Sequence, residues 1–309
     1  MKKLIKYFCF LLLLVGFVQM DGKEDNLTAD DYSKMSITEL DAAFILAVQK
    51  HRPEKMQELI QAGANVNTPI PYIWTSGDCD WEVESTALMY AVRHNCPDMV
   101  KVLIRVEKQL NEALDVAIKE GHSDVVEELI RGGTDINYVN KDEDTPLIIA
   151  IKHARATAEF SLQAQQRSTS RWSQRRKIIQ TLLKAGANVS HVNKYGRTAL
   201  MEAVIKHDLN TVQNLLQAPE MTTGSFFGFG IKPINYADKD GNTALILAIQ
   251  HVRYTYINNQ DYNICKNSQN IINALLETPG IDPYHANEKG ETAVTLLEEL
   301  DKEMNRYPY

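Results

Sequence analysis

The chain contains few cysteines, four among 309 residues. One of them, Cys9, lies in an apolar stretch near the N-terminus, which leaves Cys79, Cys96 and Cys265 in the remainder. An odd number excludes the fully paired framework of a small disulfide-stabilised domain. A single bridge between Cys79 and Cys96 remains open for an oxidising compartment, but buried apolar surface must supply most of the stability.

The chain also lacks an excess of positive charge and the common catalytic motifs. Its 33 Lys and Arg residues against 40 Asp and Glu residues give a net charge of −7. Because nucleic-acid binding needs Lys and Arg clustered on one face, this balance argues against a nucleic-acid partner. The sequence has no Gly-rich phosphate loop, G-x-S-x-G, H-E-x-x-H or Cys-x-x-Cys. We therefore expect no enzymatic activity, no cofactor and no metal.

Long apolar runs are absent except near the N-terminus. Lys2, Lys3 and Lys6 precede an apolar run over residues 7–18, a pattern typical of a secretory signal peptide. The run is short for a membrane span of about 20 residues, yet no clear small-residue cleavage site follows it. Residues 1–20 thus predict a signal peptide, or alternatively an anchor in which residues 4–18 form a membrane tether. We expect export to a bacterial periplasm, with extracellular release or inner-membrane anchoring as alternatives.

An internal repeat occupies most of the remaining chain. The pattern Thr-x-x-x-x-Ala recurs at residues 86–91, 145–150, 198–203 and 243–248, with a degenerate copy at 292–297 and copies without Thr at 42–47 and 112–117. A Thr hydroxyl can cap a helix by accepting a free backbone N–H, and the small Ala lets neighbouring helices approach closely. Apolar residues three to four positions apart predict helices with one buried face.

Glycines mark the ends of these predicted helix pairs. Gly63, Gly133 and Gly186 follow the second helix of three copies, where a left-handed residue is favoured. Further along, Asn/Asp-x-x-Gly segments at 193–196, 238–241 and 287–290 precede three of the Thr positions. Such segments form tight turns, so we expect each to lead into the next helix pair.

These Thr-Pro-Leu-like segments resemble the ankyrin repeat, whose period is 33 residues. The step from the copy at 112 to the copy at 145 is 33 residues, and about seven copies start near residues 37, 85, 111, 144, 197, 242 and 291. The resemblance implies an all-α solenoid of helix–turn–helix units with β-hairpin finger loops over residues 37–309, following a polar linker at 21–36. It also implies a monomeric protein-binding module, and structural hydrogen bonds between adjacent loops for His94, His122, His153, His207 and His251.

Two long connections between copies are predicted to form finger loops. Residues 68–84 contain Tyr72, Trp74 and Trp81, and residues 218–233 contain Phe226, Phe227 and Phe229. Aromatic side chains in exposed loops commonly anchor protein interfaces, so these six residues are candidate partner-binding residues. The alternative is that the rings fold back on the base of their own loop.

Insertions also lengthen the fourth and sixth copies. The region around the fourth-copy insertion contains Arg155, Arg167, Arg171, Trp172, Arg175, Arg176 and Lys177, whereas the sixth-copy insertion contains Tyr254, Tyr256 and Tyr262. We expect longer helices, and Arg171 and Trp172 become further candidate partner-binding residues. The basic cluster fits an acidic protein or an anionic lipid surface, and the alternative is a solvated helix that balances nearby carboxylates.

Together these features predict an exported, non-enzymatic protein that binds a protein partner through finger loops and inner helices. The alternative is a secreted effector or toxin component that acts on a host protein.

Overall fold

Pairs of helices joined by short turns account for nearly all of the chain that the structure, a computed structural model, describes: residues 29–76, 79–106, 110–153, 165–218, 220–221, 232–257 and 262–306. These residues fall into two compact units that divide after Thr134. Unit 1 begins with the short helix α1 (Ala29–Tyr32). It continues with α2 (Ile37–Gln49), α3 (Pro53–Ala62), β1 (Ile70–Ser76), β2 (Cys79–Ser85), α4 (Ala87–Arg93), α5 (Pro97–Leu103), α6 (Leu110–Glu120) and α7 (Ser123–Arg131).

Unit 2 repeats the pairing without a described strand pair. Its helices are α8 (Pro146–His153), α9 (Gln165–Lys184), α10 (Ala199–Ile205), α11 (Leu209–Leu216), α12 (Ala244–Ile257), α13 (Tyr262–Leu276) and α14 (Ala293–Arg306). A short 3-10 turn, Pro233–Asn235, precedes α12. Within each unit, the first helices of successive pairs pack against one another, and most second helices do the same. Stacking is required because a single helix pair cannot bury its own apolar face.

The predicted Thr caps are present at all five copies that carry Thr. Thr86 Oγ1 accepts a hydrogen bond from Met89 N at 3.2 Å, and Thr198 Oγ1 accepts one from Met201 N at 3.3 Å. The equivalent bonds form at Thr145, Thr243 and Thr292. Each cap satisfies a backbone donor that has no partner within its helix.

The small alanines lie where first helices meet. Ala91, Ala117 and Ala203 are completely buried, and Leu and Ile side chains from neighbouring helices surround this layer as the apolar core. At the ends of second helices, Gly63, Gly133 and Gly186 adopt positive φ angles, as predicted. The helical repeat is therefore built from the residues that the sequence pattern singled out.

The prediction of longer helices at the two insertions is confirmed. Helix α9 has 20 residues, whereas α7 has 9 and α11 has 8. Helices α12 and α13 have 14 and 15 residues. Helix α9 carries the basic cluster from Arg167 to Lys177, and Arg155 lies outside the described residues.

The two ends of the described chain differ in character. Tyr32, within the segment predicted as a linker, is buried, and α1 packs against α3. At the other end, α14 exposes Glu298, Glu299, Asp301 and Lys302, as expected of a solvent-facing terminal helix. No helix in the described ranges is long and apolar enough to span a membrane, and the predicted leader at residues 1–20 lies outside those ranges.

Candidate protein-binding surfaces

The first finger is an antiparallel β-hairpin between α3 and α4. Strands β1 and β2 have seven residues each, and the two residues between them, Gly77 and Asp78, lie outside the described part. Its base is anchored, because Ile70 is 0% exposed and both strands contact α4. The predicted β-hairpin finger is thus present at this connection.

The register of this hairpin sorts its residues into two sets. Trp74 pairs with Trp81, and Tyr72 pairs with Val83. Because alternate residues of a strand lie on opposite faces, these four positions share one face of the ribbon. The other face takes the positions of Pro71, Ile73 and Thr75, paired with Glu84, Glu82 and Asp80. One face is therefore aromatic and apolar in composition, and the other carries three acidic positions.

The other five candidate binding residues predicted from the sequence lie wholly or partly outside the described part of the chain. Phe226, Phe227 and Phe229 lie outside the described residues, and Met221 and Ile234, in the described parts before and after them, are buried. Arg171 and Trp172 lie on α9, and their side chains are outside the described part. The role of these five residues in binding stays a prediction.

A ladder of backbone hydrogen bonds joins successive turns of unit 2. Lys194 N donates to Asp142 O at 3.2 Å, Lys239 N to Tyr195 O at 3.2 Å, and Glu288 N to Asp240 O at 3.1 Å. Each bond links the turn before one helix pair to the turn before the next. This ladder was not predicted, because it joins residues that are far apart in sequence.

Side chains brace each of these turns from inside. The Oδ1 atom of Asn193 accepts hydrogen bonds from Tyr195 N at 3.0 Å and Arg197 N at 3.1 Å. Asp238 and Asn287 make the equivalent pair of bonds in the next two turns. Asn140 does so as well, although Glu143 occupies the Gly position there with φ of 56°. The structure therefore adds a fourth turn that the Asn/Asp-x-x-Gly pattern did not identify.

Two of the turn glycines are required by the packing of neighbouring turns as well as by their own φ. Gly196 and Gly241 both have φ of +76°. A Cβ atom on Gly196 would lie 2.8 Å from Lys239 N, and one on Gly241 would lie 2.9 Å from Glu288 N. Any side chain at these positions would push the adjacent turns apart.

Charged side chains follow these turns at the start of the first helices. Lys152 Nζ lies 2.7 Å from Asp144 Oδ2, and Asn193 Nδ2 donates to Asp144 Oδ1 at 2.8 Å. Arg197 sits between Glu202 and Asp238, at 3.9 Å from each carboxylate, and its buried Nε has no hydrogen-bond partner among the described residues. Burial raises the pKa of Glu202, and the positive charge of Arg197 opposes that shift.

An exposed tyrosine accompanies this charged row. Tyr195 is 47% exposed, and the ammonium groups of Lys194 and Lys152 lie 5.0 and 5.7 Å from the centre of its ring. Lys194 also pairs with Asp142. Tyr195 was not among the predicted binding residues, because it belongs to a short turn of the repeat and not to a finger or an insertion.

Of the five histidines expected to make structural hydrogen bonds, two bond to a neighbouring helix pair and a third departs from the expectation. His122 Nδ1 pairs with Val92 O of the preceding helix pair at 2.9 Å, and His207 Nδ1 pairs with Ser268 Oγ at 2.7 Å. His94 instead pairs with Tyr90 O of its own helix. Burial, together with the adjacent His251, lowers the pKa of His207 to about 4, and burial lowers the pKa of His251 too.

Cys96 is a free thiol, so the structure contains no bridge to Cys79. Its sulfur lies 3.0 Å from His51 Nδ1, and burial raises the thiol pKa. Within the described ranges, no group of three or more His, Cys, Asp or Glu residues is arranged to hold a metal ion.

Comparison with known families identifies the repeat. A family model described as ankyrin repeats, in three copies, matches residues 44–140 and 170–287, which is more than half of the chain. The chain belongs to the ankyrin-repeat family. Ankyrin domains generally act as protein–protein interaction modules and are typically non-catalytic scaffolds.

Similarity to individual ankyrin proteins is modest. Protein glp-1 of Caenorhabditis elegans is 27% identical over 123 residues, which cover 40% of this chain and only 7% of that protein. The ankyrin repeat domain of Bcl-3, a member of the IkappaB protein family, matches with a TM-score of 0.55 at 19% identity, covering 82% of this chain and 92% of that one. An ankyrin repeat domain from Acinetobacter baumannii AYE matches with a TM-score of 0.51 at 22% identity, covering 70% and 92%. At these identities the solved structures share the fold with this ankyrin chain.

Proposed function

We propose that this chain is an exported, non-enzymatic ankyrin-repeat protein that binds a protein partner through its finger loops and inner helices. In this proposal seven repeats form the binding domain, and α14 is the first helix of the terminal capping copy. The protein acts as a monomer. Residues 1–20 direct export, and the periplasm is the site of action.

The observation that carries the proposal is the first finger. A two-stranded ribbon is only marginally stable alone in water, and ordering its residues costs conformational entropy. The helical repeat does not require it, since the turns of unit 2 connect helix pairs without described strands of this length. Because stacking does not need the finger, we infer that it serves to bind a partner, which contacts the aromatic positions Tyr72, Trp74 and Trp81.

Exposed and charged side chains in the turns and first helices of unit 2 also support binding of a protein partner. Tyr195 is exposed beside Lys152 and Lys194, and the partly exposed guanidinium of Arg197 lies 3.9 Å from the carboxylates of Glu202 and Asp238. Exposed Tyr and Arg are favoured at the centres of protein interfaces. The turns and first helices thus offer a second set of contacts in addition to the finger.

The test is a pull-down from native extract with the full-length chain and four variants: Trp74→Ala, Trp81→Ala, Phe226→Ala and Phe227→Ala. We expect at least one variant to keep its fold and to lose a partner that the wild type retains. Tyr284→Ala is the matched control, because Tyr284 is an exposed aromatic residue outside both fingers. If every folded variant retains all partners at unchanged strength, the fingers are not the binding site, and α9 around Trp172 becomes the next candidate.

Cell fractionation tests the site of action. We expect the protein in the periplasmic fraction, shortened at its N-terminus. Recovery of the unshortened protein in the membrane fraction would support an anchor at residues 4–18. Recovery in the culture medium would favour a secreted effector, and recovery only in the cytoplasm would refute export.

A further inference from the structure

The first finger has a composition that limits which partners it can accept. Asp80, Glu82 and Glu84 occupy alternate positions of β2 and therefore share one face of the ribbon. No Lys or Arg occurs between residues 68 and 92, so the finger has no balancing charge in its own sequence. The opposite face of the ribbon takes the positions of Trp81 and Val83 from the same strand.

The two edges of the ribbon differ in their capacity to pair with another strand. Among the described residues, β1 and β2 pair only with each other, so each has an outer edge. Strand β1 contains Pro71, which has no backbone N–H and is characteristic of an edge that does not extend a sheet. Strand β2 contains no proline. Its outer edge can therefore continue the hydrogen-bond ladder.

A strand added beside β2 would place its own alternate residues on the same two faces. Residues on one face would lie beside Asp80, Glu82 and Glu84, and opposite charges in such cross-strand pairs are stabilising. Residues on the other face would lie beside Trp81 and Val83, where apolar side chains are favoured. A second copy of β2 does not fit, because its carboxylates would lie beside like charges.

We propose that the outer edge of β2 binds an extended protein segment in which basic and apolar residues alternate. This inference rests on the proposed protein-binding function and specifies the chemistry of the partner. A membrane surface is the weaker occupant, because anionic lipid repels the three acidic positions. Basic side chains of the bound segment would pair with those positions, and its apolar side chains would cover the aromatic face.

The test measures binding of two peptides of equal composition to the full-length protein by calorimetry. The first, Thr-Lys-Val-Lys-Tyr-Lys-Val-Thr, alternates basic and apolar residues, and the second, Thr-Val-Tyr-Val-Lys-Lys-Lys-Thr, groups them. We expect the alternating peptide to bind about tenfold more tightly, as three cross-strand charge pairs would provide. Infrared spectra of the isotope-labelled peptide should show a β-strand signal only in the complex.

Charge reversal distinguishes binding at the outer edge of β2 from non-specific attraction of a basic peptide to an acidic protein. The double variant Asp80→Lys with Glu82→Lys should lose about tenfold in affinity for the alternating peptide and gain affinity for its Glu counterpart. The matched control, Glu298→Lys with Asp301→Lys, reverses the charge of two exposed side chains of α14. It should change the affinity for the alternating peptide less than about twofold. Both variants should melt within a few degrees of the wild type.

Three outcomes would overturn the inference: equal affinity for both peptides, no effect of reversal in the finger, or concentration-dependent self-association abolished by the same reversal. Binding of anionic vesicles in place of the peptide would overturn it as well. If Trp74→Ala loses native partners in the pull-down but the wild type does not bind the alternating peptide, this partner chemistry is rejected and the proposed function remains intact.

Discussion

Units 1 and 2 connect their helix pairs in different ways. In unit 2, successive turns are joined by backbone hydrogen bonds, and an Asn or Asp side chain braces each of these turns. In unit 1, the connection between the first two helix pairs is the hairpin of β1 and β2, which is buried at its base by Ile70. The regular turn is an internal part of the stack, whereas the hairpin extends the chain beyond what stacking needs.

This difference separates residues that stabilise the domain from residues available for binding. Asn193, Asp238 and Asn287 are buried and fully engaged in turn contacts. The hairpin positions of Trp74 and Trp81 lie four pairs from the buried base. Substitutions of these buried turn residues should therefore change the free energy of unfolding, and substitutions in the finger should change affinity.

The largest effect is expected from closing the space between stacked turns. Gly241→Ala combines a positive φ with a Cβ atom 2.9 Å from Glu288 N, so we expect a loss of about 2–4 kcal/mol in the free energy of unfolding. Gly63→Ala in unit 1 has a positive φ but no atom within 4 Å, and should cost only about 1–2 kcal/mol. Urea denaturation measures both, and equal costs would mean that the turns do not stack as closely as described.

A smaller effect is expected from removing a turn brace. Asn193 is 3% exposed and makes hydrogen bonds to Tyr195 N, Arg197 N and the Asp144 carboxylate. Asn193→Ala removes the acceptor of both backbone N–H groups and one of the two partners of the Asp144 carboxylate, which keeps Lys152, so we expect a loss of about 1–3 kcal/mol in the free energy of unfolding. The control is Asn65→Ala in unit 1, an exposed turn residue that accepts one bond from Asn67 N and should cost about 0.5 kcal/mol or less. A larger loss at Asn65 than at Asn193 would contradict this comparison.

Acidification should destabilise unit 2 through its half-buried histidine pair. The rings of His207 and His251 lie 4.8 Å apart, and the folded-state pKa of His207 is about 4, below its ordinary value of 6.5. Because the unfolded chain then binds a proton more readily, this contribution to stability is complete above about pH 6.5 and is lost as the pH falls toward 4. Melting temperatures across this pH range measure the loss.

The variant His207→Asn tests that assignment, since Asn tolerates the positive φ of this position. We expect its melting temperature to fall less between about pH 6.5 and 4 than that of the wild type. If the melting temperatures of the wild type and His207→Asn fall equally over this pH range, the acid sensitivity arises from other groups.

The smallest effect on stability is expected in the finger. Trp74→Ala should change the free energy of unfolding by about 0.5 kcal/mol or less, because its position lies away from the buried base of the hairpin. Its affinity for a partner should fall by about 2 kcal/mol, as for an interface anchor. A loss of stability comparable to that of Asn193→Ala, without a loss of affinity, would show that the ring packs on its own domain.

The sequence by itself determined the repeat and its local signals. Thr86 and Thr198 cap helices, and Gly63 ends one, because each acts on backbone groups within a few residues of itself. The long helix α9 and the hairpin finger were predicted from places where the spacing between repeats departs from 33 residues. The composition of the first finger was also evident, whereas export by residues 1–20 and binding by Phe226, Phe227 and Phe229 stay predictions.

Only the tertiary structure decided how distant residues meet. The register that pairs Trp74 with Trp81 depends on where the hairpin turns, which alternation alone does not fix. Glu143 adopts the positive φ of the turn without being a glycine, in a turn that Asn140 braces. Arg197 lies between Glu202 and Asp238, and Lys239 bonds to Tyr195, because stacking brings neighbouring repeats into contact. Local hydrogen bonds are encoded in short motifs, but contacts between repeats depend on insertions whose lengths break the 33-residue period.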